Sequence, residues 1–214
     1  MTSSIAPVRR RQWLLPTGLI LLSAVPVIAG GVRVGELAGG ATVTPDNARF
    51  FAMPIPVLLH IFGATIFCWL GALQFVPGLR RRAWHRYAGR ILVPSGVGAA
   101  LSGMWMTLWY PLPEHDGPPL GPLGVIRLIV GGAMAAALVL GLLAARRRDF
   151  ARHRAWMIRG YALGLGAGTQ AFTHAAWAVV VGTPTTEVPR IFLVGGGWVI
   201  NLIVAEWAIR RARG

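Results

Sequence analysis

Four of the five histidines in this chain fall into two pairs. His60 and His174 sit below one edge of long apolar runs, and His85 and His153 sit just inside the opposite edge. As helix, at 1.5 Å per residue, His60 lies about six residues or roughly 9 Å below Pro54, and His174 about eight residues or roughly 12 Å short of Gly182. Neutral imidazole suits iron, and two imidazoles on facing helices at one depth can hold a haem iron from both sides, leaving it coordinatively closed. The inner pair precedes Arg90 and Arg159 by five and six residues respectively. Guanidinium forks pair with carboxylates in bidentate fashion, so those arginines could take haem propionates, and Arg127 could do so at the other edge or take a substrate carboxylate. The chemistry on offer is one-electron transfer by haem b with His60, His174, His85 and His153 as iron ligands.

Such residues need a scaffold, and the composition says what kind. Of 214 residues 55% are hydrophobic and only 13% charged, with a mean hydropathy of +0.58. That balance faces lipid rather than water. The net charge of +14 would suggest nucleic acid in a soluble protein. Here every basic residue is arginine and the arginines bunch at the ends of apolar runs, which is a membrane-topology pattern, so no nucleic-acid partner is expected. The single cysteine, Cys68, excludes an intrachain disulfide, a CxxCH haem attachment, a Cys-ligated cluster and a zinc finger.

Crossing a hydrocarbon core about 30 Å thick takes roughly 20 apolar residues as helix. Six segments qualify, at about 13–32, 54–77, 90–111, 122–145, 158–182 and 190–209. The expectation is a single all-α transmembrane domain over 1–214, with the second to fifth helices as an antiparallel four-helix bundle and the first and sixth at its flank. The first apolar stretch is longer than a signal-peptide core and reads as an uncleaved anchor. Arginines 9–11, 80–82, 86, 90, 146–148, 152, 154, 159, 210, 211 and 213 then fall on one side, which the positive-inside rule makes cytoplasmic together with both termini. Arg33, Arg49, Arg127 and Arg190 remain outside with five of the seven acids. The outer connections 33–53 and 112–121 are rich in Gly and Pro and read as irregular loops.

Both inner histidines belong to a repeat. RRRAWHRYAGR, Arg80 to Arg90, returns as RRRDFARHRAWMIRG, Arg146 to Gly160, each time as a cytoplasmic turn between a descending and an ascending helix. Two hairpins in the same orientation make a parallel internal repeat. Without haem, the same turns suit anionic lipid headgroups or a partner protein, and His60 and His174 suit hydrogen bonds across helices to Gln74, Gln170 or Thr173. A haem-free carrier or accessory subunit is therefore the competing reading. The recurring glycines, such as Gly160, Gly164 and Gly168, read as close helix packing.

Other polar groups carry less. Glu206 lies one turn from Arg210 and is expected to pair with it. Glu114-His115-Asp116 is poor grounds for a metal site. No GxSxG, HExxH, Walker or GxGxxG context occurs, which disfavours a hydrolase or an ATP-driven pump.

Leu59-His60, Gly71-Ala72-Leu73-Gln74-Phe75, His85-Arg86 with Gly89-Arg90, Arg148-Asp149, the run His153 to Arg159, and Tyr161-Ala162-Leu163 together carry a resemblance. Over about residues 55–175 the chain resembles a family of predicted bacterial membrane proteins, domain-of-unknown-function family 2306. The resemblance implies fold and residence in a bacterial inner membrane, with no assigned activity. In architecture the chain is more distantly similar to transmembrane b-type cytochromes, whose four core helices supply histidines in pairs.

Overall fold

A computed structural model of the chain describes residues 6–80, 83–183 and 186–212. Arg81, Arg82 and Arg213 lie outside the described residues, as do the side chains of Arg9, Arg10, Arg11 and Arg80. Among the described residues there is helix and no strand. The helices are α1 (Ala6–Gly39), α2 (Ala48–Ala52), α3 (Pro54–Leu73), α4 (Pro77–Arg80), α5 (Ala83–Trp109), α6 (Pro122–Arg146), α7 (Phe150–Gly164), α8 (Gly166–Val180) and α9 (Glu187–Arg211), with a 3-10 turn at Glu114–Asp116. Five of them, α1 from Gln12 onward, α3, α5, α6 and α9, are long and apolar enough to cross a membrane.

The expected segment 158–182 is interrupted. Two helices of 15 residues each, α7 and α8, meet at Leu165, and each spans only about 22 Å. An interruption inside apolar surroundings frees backbone carbonyls that must be satisfied by protein. Asn201 Nδ2 donates to Ala162 O at 3.0 Å, Trp198 Nε1 to Leu163 O at 3.2 Å, and the Cys68 thiol reaches Gly164 O at 3.8 Å. The caps come from α9 and α3, so the break is built by the tertiary fold. Gly166 permits it locally, since a Cβ there would lie 2.0 Å from Trp198 Nε1.

α5 starts seven residues earlier than expected, at Ala83, and α7 eight residues earlier, at Phe150. His85 and His153 therefore stand on the first turns of helices, while Arg80 and Arg146 end the helices that precede them. The connection after α6 closes with Arg148 in the left-handed region (φ 61°), a conformation that commonly ends helices. Asp149 then caps α7, its carboxylate accepting from Arg152 N at 3.0 Å.

α3 packs on α5, α5 on α6, α6 on α7, and α7 and α8 on α9, while α1 lies across α3 and α8. Large side chains enter glycine gaps at these seams. Leu138 fills the space over Gly96 and Gly160, Phe67 that over Gly96 and Gly164, and the Tyr161 ring that over Gly71. Tyr161 is only 6% exposed and its hydroxyl donates to Cys68 O at 2.7 Å, tying α7 to α3. The glycines serve close packing, as their spacing suggested. Many of the large apolar side chains left exposed, Leu59, Phe62, Ile129 and Ile203 among them, point away from this core, as suits helices bathed in lipid.

Candidate functional site

The inner histidines come together. His85 at the start of α5 and His153 at the start of α7 have ring centres 6.3 Å apart and planes at 89°. His153 Nδ1 lies 2.8 Å from Gly141 O. A carbonyl only accepts, so Nδ1 carries the proton and the neutral ring keeps its lone pair at Nε2. Of the arginines expected beside this pair, Arg90 is exposed with its guanidinium 5.3 Å from the Tyr87 ring centre. Arg159 donates a fork to Glu206, 2.5 Å to one oxygen and 3.0 Å to the other. Glu206, expected from its spacing to meet Arg210, thus binds across to α7.

The outer histidines share one cavity. His60 on α3 and His174 on α8 both line a space of about 500 Å³ that also takes in Thr65, Cys68, Met104 and Met134. His60 Nδ1 lies 2.8 Å from Ala99 O and its ring rests against Gly103, where a Cβ would come within 3.2 Å. His174 Nδ1 lies 2.7 Å from Gln170 O, one turn back on its own helix. By the same reasoning both rings hold their protons at Nδ1 and offer Nε2 as an acceptor. The partners of these rings are backbone carbonyls, across helices for His60 and within its own helix for His174, rather than the expected side chains of Gln74, Gln170 or Thr173. Thr173 instead donates to Leu193 O and Gln170 O, and Gln170 to Val194 O.

Arg127 also lines the cavity, at its outer mouth with Arg49, Asp116 and Arg190. Asp116, 5% exposed, takes Arg127 Nη2 at 3.0 Å on one oxygen and Arg190 Nε at 2.5 Å on the other. Burial alone would push its carboxyl up, but Arg127 and then Arg190 outweigh that and hold it below the usual carboxylate range. The sequence reading took Asp116 only as one third of a weak metal motif and left Arg190 and Arg49 to topology. The missed signal is a lone acid in a Pro-Gly loop facing arginines at the same rim. Among the described residues no three His, Cys, Asp or Glu side chains converge on a metal site, so each histidine set is a pair.

The sequence pattern of one protein family, described as "Predicted membrane protein (DUF2306)", matches residues 57–209. The chain belongs to this family. The match reaches past the 55–175 stretch that carried the resemblance, from within α3 to near the end of α9, and includes all four paired histidines. Together with its apolar helices, membership makes this an integral, multi-pass membrane protein in contact with lipid. No curated protein and no solved structure matches the chain.

Proposed function

We propose that the chain is a b-type haem protein that passes electrons across a bacterial inner membrane, crossing it six times with α7 and α8 together as the fifth crossing. In this reading α3, α5, α6 and α7–α8 form the antiparallel four-helix core, and α1 and α9 flank it. The observation that carries it is the inner pair. His85 and His153 hold their ring centres 6.3 Å apart with perpendicular planes, close enough that both imidazoles could bind one metal ion. His60 and His174, which line one cavity and turn Nδ1 to backbone carbonyls, would be the ligands of a second, outer haem.

Haem, when bound, supplies a one-electron iron couple whose potential is tuned by the axial ligands and burial. The chain's own work is to fix tautomers and hold charge. Backbone carbonyls of Gly141, Ala99 and Gln170 hold protons on Nδ1, which strengthens Nε2 as a donor to metal. From His85 to Gly103, the residue against the His60 ring, α5 rises 18 residues or roughly 27 Å, so the two pairs serve opposite sides of the bilayer. A carrier built around the interrupted helix is disfavoured, because side chains of α9 and α3 already occupy the carbonyls freed there.

The test is the absorbance spectrum of protein purified in mild detergent from haem-replete cells, oxidised and then dithionite-reduced. The expected result is a sharp reduced α-band with a Soret shift, lost in part in His153→Ala and in part in His60→Ala. A featureless visible spectrum from folded protein sinks the proposal and returns the His-Arg turns to lipid or partner contact.

A further inference from the structure

The connection between α5 and α6 contributes Leu112, Pro113 and Asp116 to the lining of the outer cavity. It is held at few points. Asp116 joins Arg127 of α6 and Arg190 of α9, the Glu187 carboxylate accepts from Leu123 N at 3.3 Å, and Arg49 donates to Pro111 O at 3.0 Å. Between these ties the chain is short and irregular: a single 3-10 turn, then Gly117 at φ 70° with a Cβ's place taken by Glu187. Asp116 bridges α6 and α9 through Arg127 and Arg190, and both partners line the cavity too. A carboxylate bound by two guanidiniums is the chemistry with which a protein also receives a ligand's carboxylate.

We propose that the 112–121 connection is a lid on the outer cavity, that Asp116 is its latch, and that an arriving carboxylate opens it by taking Asp116's place on Arg127 and Arg190. Access is thereby selective for carboxylate-bearing molecules from the outer side. This rests on the haem reading only for the identity of the carboxylate, which would there be a propionate. The latch itself is independent of any haem.

Cys68 lines the cavity floor and is the only thiol in the sequence, so it reports access without a second label. Full-length protein in proteoliposomes is treated with a small, membrane-impermeant thiol reagent and the rate of Cys68 modification is followed by mass. Asp116→Asn removes the charge from both pairs and one of the two accepting oxygens, which should speed modification at least about tenfold. Asp116→Glu, which keeps the carboxylate, should stay near the wild-type rate. Acetate, matched in ionic strength to chloride, should speed the wild type and leave Asp116→Asn unchanged. Equal rates for wild type and Asp116→Asn overturn the proposal. So does an Asp116→Glu rate as fast as that of Asp116→Asn, which would report general loosening, and so does indifference of the wild type to acetate. None of these readings requires bound haem, so the latch and the haem proposal fail separately.

Discussion

Gly71 and Tyr161 offer the sharpest test of how the two hairpins meet. A Cβ built on Gly71 falls 2.5 Å from Tyr161 Cε2 and 3.0 Å from Cδ2. The ring has little room to retreat, because it also packs on Phe67 and Phe75 at centre distances of 5.6 and 5.2 Å and its hydroxyl is fixed to Cys68 O. Gly71→Ala should therefore cost about 1–3 kcal/mol by overpacking. Tyr161→Ala should cost about 3–5 kcal/mol, by analogy with other buried aromatic truncations. With the ring gone, the added methyl enters vacated space. The double variant should then be more stable than the sum predicts, with a coupling of about 1–3 kcal/mol. Reversible unfolding in mixed micelles, read by tryptophan fluorescence, gives the four free energies of the cycle. Additivity within about 0.5 kcal/mol would refute the idea that this contact, rather than lipid exposure or helix propensity, makes glycine necessary at position 71.

Further outcomes follow from single sites. Arg148→Gly should raise stability by about 0.5–1 kcal/mol, because the left-handed backbone at φ 61° costs an L side chain more than it costs glycine, and a lower melting point would argue for another constraint on that turn. Asn201→Leu should lower stability by about 1–3 kcal/mol, since it uncaps Ala162 O and orphans the Thr169 hydroxyl; amide exchange should rise first around Leu165, and a uniform rise would contradict local capping. Asp116 has a folded pKa below its ordinary value, so its stabilisation is fully present above the unfolded pKa of about 3.9 and is lost as pH falls below that. The gap in melting temperature between wild type and Asp116→Asn should accordingly be flat from neutral pH to about pH 5 and close only in stronger acid. A gap that closes near neutrality would mean another group holds the loop.

Hydropathy alone revealed most of the fold, because each apolar run answers to lipid locally and needs no partner to be recognised. The break at Leu165 was hidden for the opposite reason. Leu163-Gly164-Leu165-Gly166 reads as another small-residue stripe, and what turns it into an interruption is a tryptophan and an asparagine on α9 more than thirty residues onward. The pairing of His85 with His153 was legible through the repeat, which put the same residue at the same depth twice. The common placement of His60 and His174 was legible through helical rise. Neither signal could say that backbone carbonyls fix three of the four rings, since the carbonyls of Ala99, Gln170 and Gly141 belong to the main chain, which no residue type announces. Arginine partners were the weakest reading. Glu206 meets Arg159 from 47 positions away and Asp116 meets Arg190 from 74, and only packed helices reveal such distances.

The fork between Arg159 and Glu206 has a meaning for the order in which the chain is made. Arg159 leaves the ribosome 47 residues ahead of Glu206, an interval of about 2–10 s at ordinary synthesis rates. During that wait α7, burdened with three arginines and a histidine, has no counter-charge from α9 and is a poor candidate for spontaneous passage into lipid. The last helix thus acts as a late clasp: the fork that pairs the Arg159 charge forms only after the C-terminal helix has been made. A nascent chain stalled before Glu206 would leave the Arg159 guanidinium without that carboxylate, and release of the stall would supply it.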